Sequence, residues 1–337
     1  MRLRLSSCVV VALVSMGDSQ AAAGQAVIAS AVPGAEEWQL VTGTGILRGT
    51  LLVPADTGRI PVVLIHPGSG PTDRDGNSQL LPGKNNSLRL LAEGLVARGI
   101  ASLRIDKRGV AGSAAAASAE SDLRVETFVA DAVGWLDLLE RHQRFGAVVV
   151  LGHSEGALIV ALAAAQRPVD GYVSVAGPAR KASDVLRQQL QGKLRKPLAV
   201  ESERILSALE RGVRADSVPE ALLPLFRPSV QPYLISWFRI VPAEVVTRLA
   251  MPVLVVQGTT DVQVDTLEAA LFLASRPDVR YFRVAGMNHV LKLVTGPLPA
   301  QVASYSDSTL PVAPALLDGL VTFIRSLPPA ADPESRR

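Results

Sequence analysis

Residues 148–157 read Val-Val-Val-Leu-Gly-His-Ser-Glu-Gly-Ala, a β-branched run that passes into an alanine-rich helical stretch through a Gly-x-Ser-x-Gly turn. The motif alone arises often by chance, and a lone serine in a turn is usually structural. Its flanks change that reading. With a strand before, a helix after and glycine at 152 and 156, no side chain collides where the chain turns sharply. A serine can then be held, strained, above the carboxyl end of a sheet, and Ser154 is the expected nucleophile.

Working outward, short β-branched runs alternate with longer helical stretches. Residues 37–53 read as two opening strands with a turn at Thr42–Gly45. Further strands are expected at Pro61–Ile65, Ala101–Ile105, Ala147–Leu151, Gly171–Val175, Val253–Gln257 and Arg280–Val284, with helices at Leu88–Arg98, Val125–Arg141 and Glu155–Gln166. This is the pattern of an α/β fold: a mainly parallel sheet with helices on both faces. Several strands are apolar on both sides, as interior parallel strands are. One connection, Gly177–Met251, runs for about 75 residues, far beyond an ordinary crossover. Residues 178–250 are therefore expected to be a mostly helical cap. Strands resume directly after it, so 24–337 reads as one domain and not two. The Ala/Ser run at 111–119 and the tail at 328–337 read as mobile surface segments.

A serine hydroxyl needs a base, and the base an orienting carboxylate. Both are expected after later strands. The strand at 253–257 ends in Gly-Thr-Thr-Asp261, and the strand at 280–284 in Ala-Gly-Met-Asn-His289. Asp261 would accept the Nδ1 proton of His289, whose Nε2 would take the proton of Ser154. Asp265 is the alternative acid, four residues further on. The chain has four histidines. His142 reads as a surface residue on a polar helix face, His153 is fixed beside the nucleophile, and His66 is the rival base, read here as supporting the loop after its strand.

That loop, 66–77, is His-Pro-Gly-Ser-Gly-Pro-Thr-Asp-Arg-Asp-Gly-Asn. Negative charge developing on an attacked carbonyl must meet amides already aimed at it. One is expected from Glu155, at the start of the helix after the nucleophile. The other is expected from Ser69, between glycines that let the backbone approach. Asp73-Arg74-Asp75 does not fit a calcium loop, because Gly76 falls fourth and Lys84 twelfth. Aspartates capping turn amides and an internally paired Arg74 are expected instead, with Glu155 and Asp106-Lys107-Arg108 as candidate members of the same network. No metal or other cofactor is expected.

Composition bounds the rest. A chain of 337 residues that is 48% hydrophobic and 19% charged can build a large core. Its 34 basic and 31 acidic residues are scattered, with no basic block, which argues against a nucleic-acid partner. Arg2 and Arg4, an apolar run from Cys8 to Met16 and Ala21-Ala22-Ala23 have the order of a signal peptide over 1–23, cut after Ala23 or else after Ala26. The apolar run is too short to span a bilayer. The expectation is an exported protein, periplasmic or secreted, with no stable membrane insertion after cleavage. Cys8 is the only cysteine, so no thiol chemistry is expected in the mature chain. No feature sets an oligomeric state.

Together, the Gly68–Asn77 loop, Asp106-Lys107-Arg108-Gly109, Gly152-His153-Ser154-Glu155-Gly156 and Ser229-Val230-Gln231-Pro232-Tyr233 resemble the α/β-hydrolase superfamily, and within it a bacterial esterase group related to serine aminopeptidase-like hydrolases. The residues around Leu234–Phe238 add to the likeness, and His66-Pro67 depart from the group's pattern. The resemblance implies a carboxylesterase acting on small or medium acyl esters, with the cap forming the acyl pocket. A peptidase or amidase with the same triad is the alternative, and a non-catalytic binding protein on this fold the third. The last would be expected to lack a triad member, and this sequence lacks none.

Overall fold

The computed structural model describes residues 34–55 and 58–328. The expected signal peptide at 1–23, and the tail beyond residue 328, lie outside the described residues. The chain opens with β1 (Ala35–Thr42) and β2 (Gly45–Leu52). It continues through β3 (Ile60–His66), α1 (Ser87–Val96), β4 (Ala101–Ile105), α2 (Val125–Glu140), β5 (Phe145–His153), α3 (Glu155–Ala164) and β6 (Gly171–Val175). Helices α4 (Ala182–Leu190), α5 (Lys196–Glu210), α6 (Leu223–Phe226), α7 (Gln231–Phe238) and α8 (Pro242–Thr247) occupy the long connection. Then follow β7 (Val253–Gly258), α9 (Thr266–Ser275), β8 (Arg280–Val284), α10 (Leu298–Ala303) and α11 (Pro314–Arg325).

The strands form one eight-stranded sheet in the order β1-β2-β4-β3-β5-β6-β7-β8. From β4 to β8 every neighbouring pair is parallel, while β1 and β2 join antiparallel at one edge. Parallel neighbours need a crossover between them, which the helices supply. The inner strands are buried on both sides. In β3, Val62 and Leu64 face a core shared with α2 and α3, whereas Val63 and Ile65 face a second core shared with α1 and α11. In β5, Val148 and Val150 divide in the same way from Val149 and Leu151. That double burial is why these segments read as unbroken apolar runs. The helices between β6 and β7 bury Leu186, Leu206, Phe226, Leu234 and Phe238 in the core of α2 and α3. No helix among the described residues is long and apolar enough to cross a membrane.

One expectation is corrected. The Ala/Ser run is not a mobile segment: Ala111–Ala116 form a short helical turn with Ser113 and Ala116 fully buried. Ser113 Oγ accepts from the Arg48 amide at 2.8 Å and donates to Asp106 O at 3.2 Å, which stitches the run to β2 and to the end of β4. Small side chains here permit close packing, a use that composition cannot distinguish from looseness.

The topology places the site. The chain leaves β3 for β4 on one side, then returns to β5 on the other, so a crevice opens at the carboxyl ends of β3 and β5. His66 pairs with Gly152, and the segments after these two strands start side by side.

Candidate active site

Ser154 has φ 55° and ψ −125°, a conformation that non-glycine residues rarely adopt and that persists only where the surroundings over-determine it. Here the restraint is packing. A Cβ on Gly152 would lie 2.2 Å from Gly156 O, and one on Gly156 2.5 Å from Pro67 O. Both glycines are needed for space, because neither has positive φ. The Ser154 amide donates to Val175 O at 2.9 Å, fixing the turn to the end of β6. α3 begins at Glu155, and the amides of its first turn have no carbonyl partner within the helix.

Asp261 and His289 come from the loops after β7 and β8, and those loops are laced together. Thr260 N donates to Met287 O at 3.1 Å, Thr260 Oγ1 to Gly286 O at 2.9 Å, and Gly286 N to Thr259 Oγ1 at 2.8 Å. The amides of Gln263 and Val264 donate to Asp261 Oδ1 at 2.8 and 3.0 Å. This leaves Asp261 Oδ2 facing His289 Nδ1 at 2.8 Å. A proton held on Nδ1 by the carboxylate makes Nε2 the acceptor. His289 and Ser154 line one cavity of about 60 Å3, together with Gly68 and Ser69.

The alternatives are occupied elsewhere. Asp265 caps α9, accepting from Leu267 N at 2.7 Å, and its other oxygen accepts from Gln188 at 2.6 Å. His66 donates from Nδ1 to Pro67 O at 2.9 Å, and burial, aided by nearby Lys107, pushes its pKa down to about 3. His153 donates from Nε2 to His289 O at 2.8 Å, and burial likewise holds it at about 3. His142 lies just past α2, not on its polar face, with its ring against Trp38 and Phe145.

The loop after β3 runs close over the turn: a Cβ on Gly68 would sit 3.2 Å from Ser154 Cβ. Ser69 is 8% exposed, and its carbonyl accepts from Thr72 Oγ1 at 2.8 Å. The charges behind it are structural. Asp73 Oδ1 accepts from the amides of Asp75 and Asn77 at 2.9 and 2.8 Å. Arg74 gives its amide and Nε to Asp106 at 2.7 and 2.9 Å, and Asp75 pairs with Arg104 of β4. Arg108 pairs with Asp131 of α2.

Lys107 reaches the loop itself. Its ammonium donates to Gly68 O at 2.5 Å and Gly70 O at 2.6 Å, and burial lowers its pKa to about 8 against the opposing pull of Glu155. Beyond it lies a second cavity, of about 40 Å3, also lined by Ser69. Its charged walls are paired: Glu120 with Arg227, and Glu155 with the hydroxyl of Tyr233 from α7. Burial raises the Glu155 carboxyl, opposed by Lys107. Leu123, Phe128 and Val230 give this cavity apolar wall as well. Sequence reasoning placed Lys107 among the candidate members of the loop's network but found neither the cavity nor its grip on the Gly68 and Gly70 carbonyls. The available signal was a set of three charges directly after a buried strand, which such a strand end carries only where partners wait.

Residues 84–230 match the serine aminopeptidase S33 family. Esterase EstD of Thermotoga maritima is 29% identical over 248 residues, covering 73% of this chain and 58% of EstD. The chain thus spans less than two thirds of that relative's length. Among solved structures, Est1E of Butyrivibrio proteoclasticus with bound ferulic acid is 18% identical with a TM-score of 0.54, over 79% of this chain and 96% of that one. The esterase domain of a Rhodothermus marinus protein is 16% identical with a TM-score of 0.53, over 87% and 98%. These two likenesses bear on the fold alone. Strand order, the strained serine turn and the likeness to these solved structures give the chain an α/β-hydrolase fold, and its residues 84–230 are similar to the serine aminopeptidase S33 family.

Proposed function

We propose that the chain is a serine carboxylesterase in which Ser154, Asp261 and His289 form the catalytic triad and the amides of Ser69 and Glu155 the oxyanion site. The observation that carries the reading is the 2.8 Å contact of Asp261 with His289 beside a strained Ser154 in the same cavity. Ser154 Oγ attacks the ester carbonyl as His289 Nε2 takes its proton, and Asp261 holds the imidazolium so formed. The oxyanion faces the amide of Ser69 and that of Glu155, where the start of α3 favours negative charge. His289 returns the proton to the departing alcohol, then activates the water that releases the acid.

The name of the Thermotoga relative supports the choice of esters. The family match keeps the peptidase in view, but an aminopeptidase needs carboxylates left for a substrate amine. In the cavity beside Ser69, Glu120 is paired with Arg227 and Glu155 with Tyr233. Cavities of about 40 and 60 Å3 favour short acyl and alcohol groups. The deciding assay sets purified protein against nitrophenyl acyl esters and aminoacyl nitroanilides, with Ser154→Ala as control. Ester turnover that the substitution abolishes supports the esterase. Turnover of the anilides alone would assign the peptidase, and no turnover or phosphonate labelling at all would leave a binding protein.

The composition of residues 1–23 supports export as a further part of the proposal. The amino-terminal sequence of the mature protein, recovered from a periplasmic or culture fraction, tests it.

A further inference from the structure

We propose that Lys107 is a positioning residue for the oxyanion site: by holding the carbonyls of Gly68 and Gly70 it fixes the peptide plane that presents the Ser69 amide. The inference rests on the reading of Ser69 given above and adds the element that aims it. The Gly68 carbonyl and the Ser69 N–H belong to the same peptide unit, which is trans like every other in the described chain. In a trans unit the two bonds point in opposite directions. A donor fastened to the carbonyl therefore sets the heading of the N–H. Lys107 Nζ lies 2.5 Å from Gly68 O, and its second bond, 2.6 Å to Gly70 O, holds the far side of Ser69, so the residue cannot rock about one anchor.

Two further observations give the contact a use beyond loop stability. Gly68 is packed so closely on Ser154 that an added Cβ would lie 3.2 Å from the serine Cβ, so a small turn of this peptide changes what the serine faces. Lys107 is also only 5% exposed and lies at the end of β4, a strand buried along its whole length. The anchor is thus rigid. A cation on the carbonyl also polarises the amide of the same unit, making its N–H a stronger donor where negative charge develops. Glu155, Glu120, Arg227 and Tyr233 line the cavity beside the lysine, and His66 lies near enough to feel its charge.

The test is steady-state hydrolysis of nitrophenyl acetate by Lys107→Met, which keeps the bulk and removes the donors. Active sites are counted by stoichiometric phosphonate labelling. The expected result is a fall in kcat of about 30- to 100-fold per labelled site, with KM within about threefold of the parent, because the donor acts on the tetrahedral state. An alkyl boronic acid, which forms a tetrahedral adduct on serine, should lose affinity by a similar factor. Lys107→Ala should be partly rescued by ethylammonium and not by tetramethylammonium, which has no N–H. If the Met variant does not fold, Lys107→Gln is read in the same assay. Unchanged kcat per labelled site, or a loss carried by KM, overturns the inference. Should Ser154→Ala retain full turnover, the site reading fails first; should Ser154→Ala be dead while the Lys107 variants stay active, only the role of Lys107 is lost.

Discussion

The two cavities that meet at Ser69 have opposite chemistry. On the side of the β6–β7 helices the walls bring Lys107, Glu120, Glu155 and Arg227 together, while the side holding Ser154 and His289 is lined by no Asp, Glu, Lys or Arg. Its polar groups are neutral ones, among them Thr72, Asn85, Gln263 and Tyr305. In the proposed reaction this division is useful. A proton moves to and from His289, and a fixed charge beside that ring would bias it one way, whereas here Asp261 alone governs it. Negative charge develops at the Ser69 and Glu155 amides, and the Lys107 ammonium stands behind the first of them, on the Gly68 and Gly70 carbonyls.

The largest effect is expected on the neutral side: Asp261→Asn should lower kcat for nitrophenyl esters by about 10⁴-fold with little change in KM, because the wrong imidazole tautomer is then favoured. A loss below about tenfold would show that His289 does not depend on its carboxylate. Behind the Ser69 loop, Asp106→Ala leaves Arg74 half-buried without its main partner and should cost about 3–5 kcal/mol in denaturant unfolding. A cost under about 1 kcal/mol would mean that this network only decorates the loop.

Acid separates the two sides further. His66 and His153 are neutral in the fold, with pKa values of about 3 against 6.5 for the free side chain. Between those values the unfolded chain binds more protons than the native one. The stability these rings contribute is therefore complete above about pH 6.5 and declines as pH falls toward 3, by an amount on the order of a few kcal/mol. Denaturation midpoints from pH 7 to 4 should drop, and His153→Gln should make the drop shallower; an unchanged slope would contradict it. The smallest effect is on selectivity. Tyr233→Phe removes the hydroxyl beside buried Glu155 and should shift the butyrate-to-acetate ratio of kcat/KM by about five- to tenfold. No shift would place the acyl chain in the neutral cavity instead.

Much of this was legible in the sequence, for reasons that differ by residue. The strands at Ala101–Ile105, Gly171–Val175 and Arg280–Val284 have the expected bounds, because each lies between turn signals and is short enough that a helix is excluded. β5 is longer than expected at both ends, since Phe145 and His153 continue the ladder. Gly152, Gly156 and Ser154 could be read because a tight turn between strand and helix admits few residue types. Asp261 and His289 could be singled out because each lies in the loop after a strand, and the structure brings those two together. The second cavity could not be read. Glu120, Lys107 and Arg227 come from three separate segments, and nothing local in a chain announces which charges will meet. The Ala/Ser run failed for the same reason: its order is supplied by Arg48 and Asp106, from elsewhere in the chain.

His153 occupies the wild-card position of its motif, yet its ring grips the main chain of residue 289 across the cleft. It works as a caliper, one jaw beside the serine and the other on the distant loop, so the gap between them is gauged by a single imidazole. Because that ring stays uncharged down to about pH 3, the gauge holds its setting in moderate acid. A swap at this position would respace the two loops even though the motif would still match.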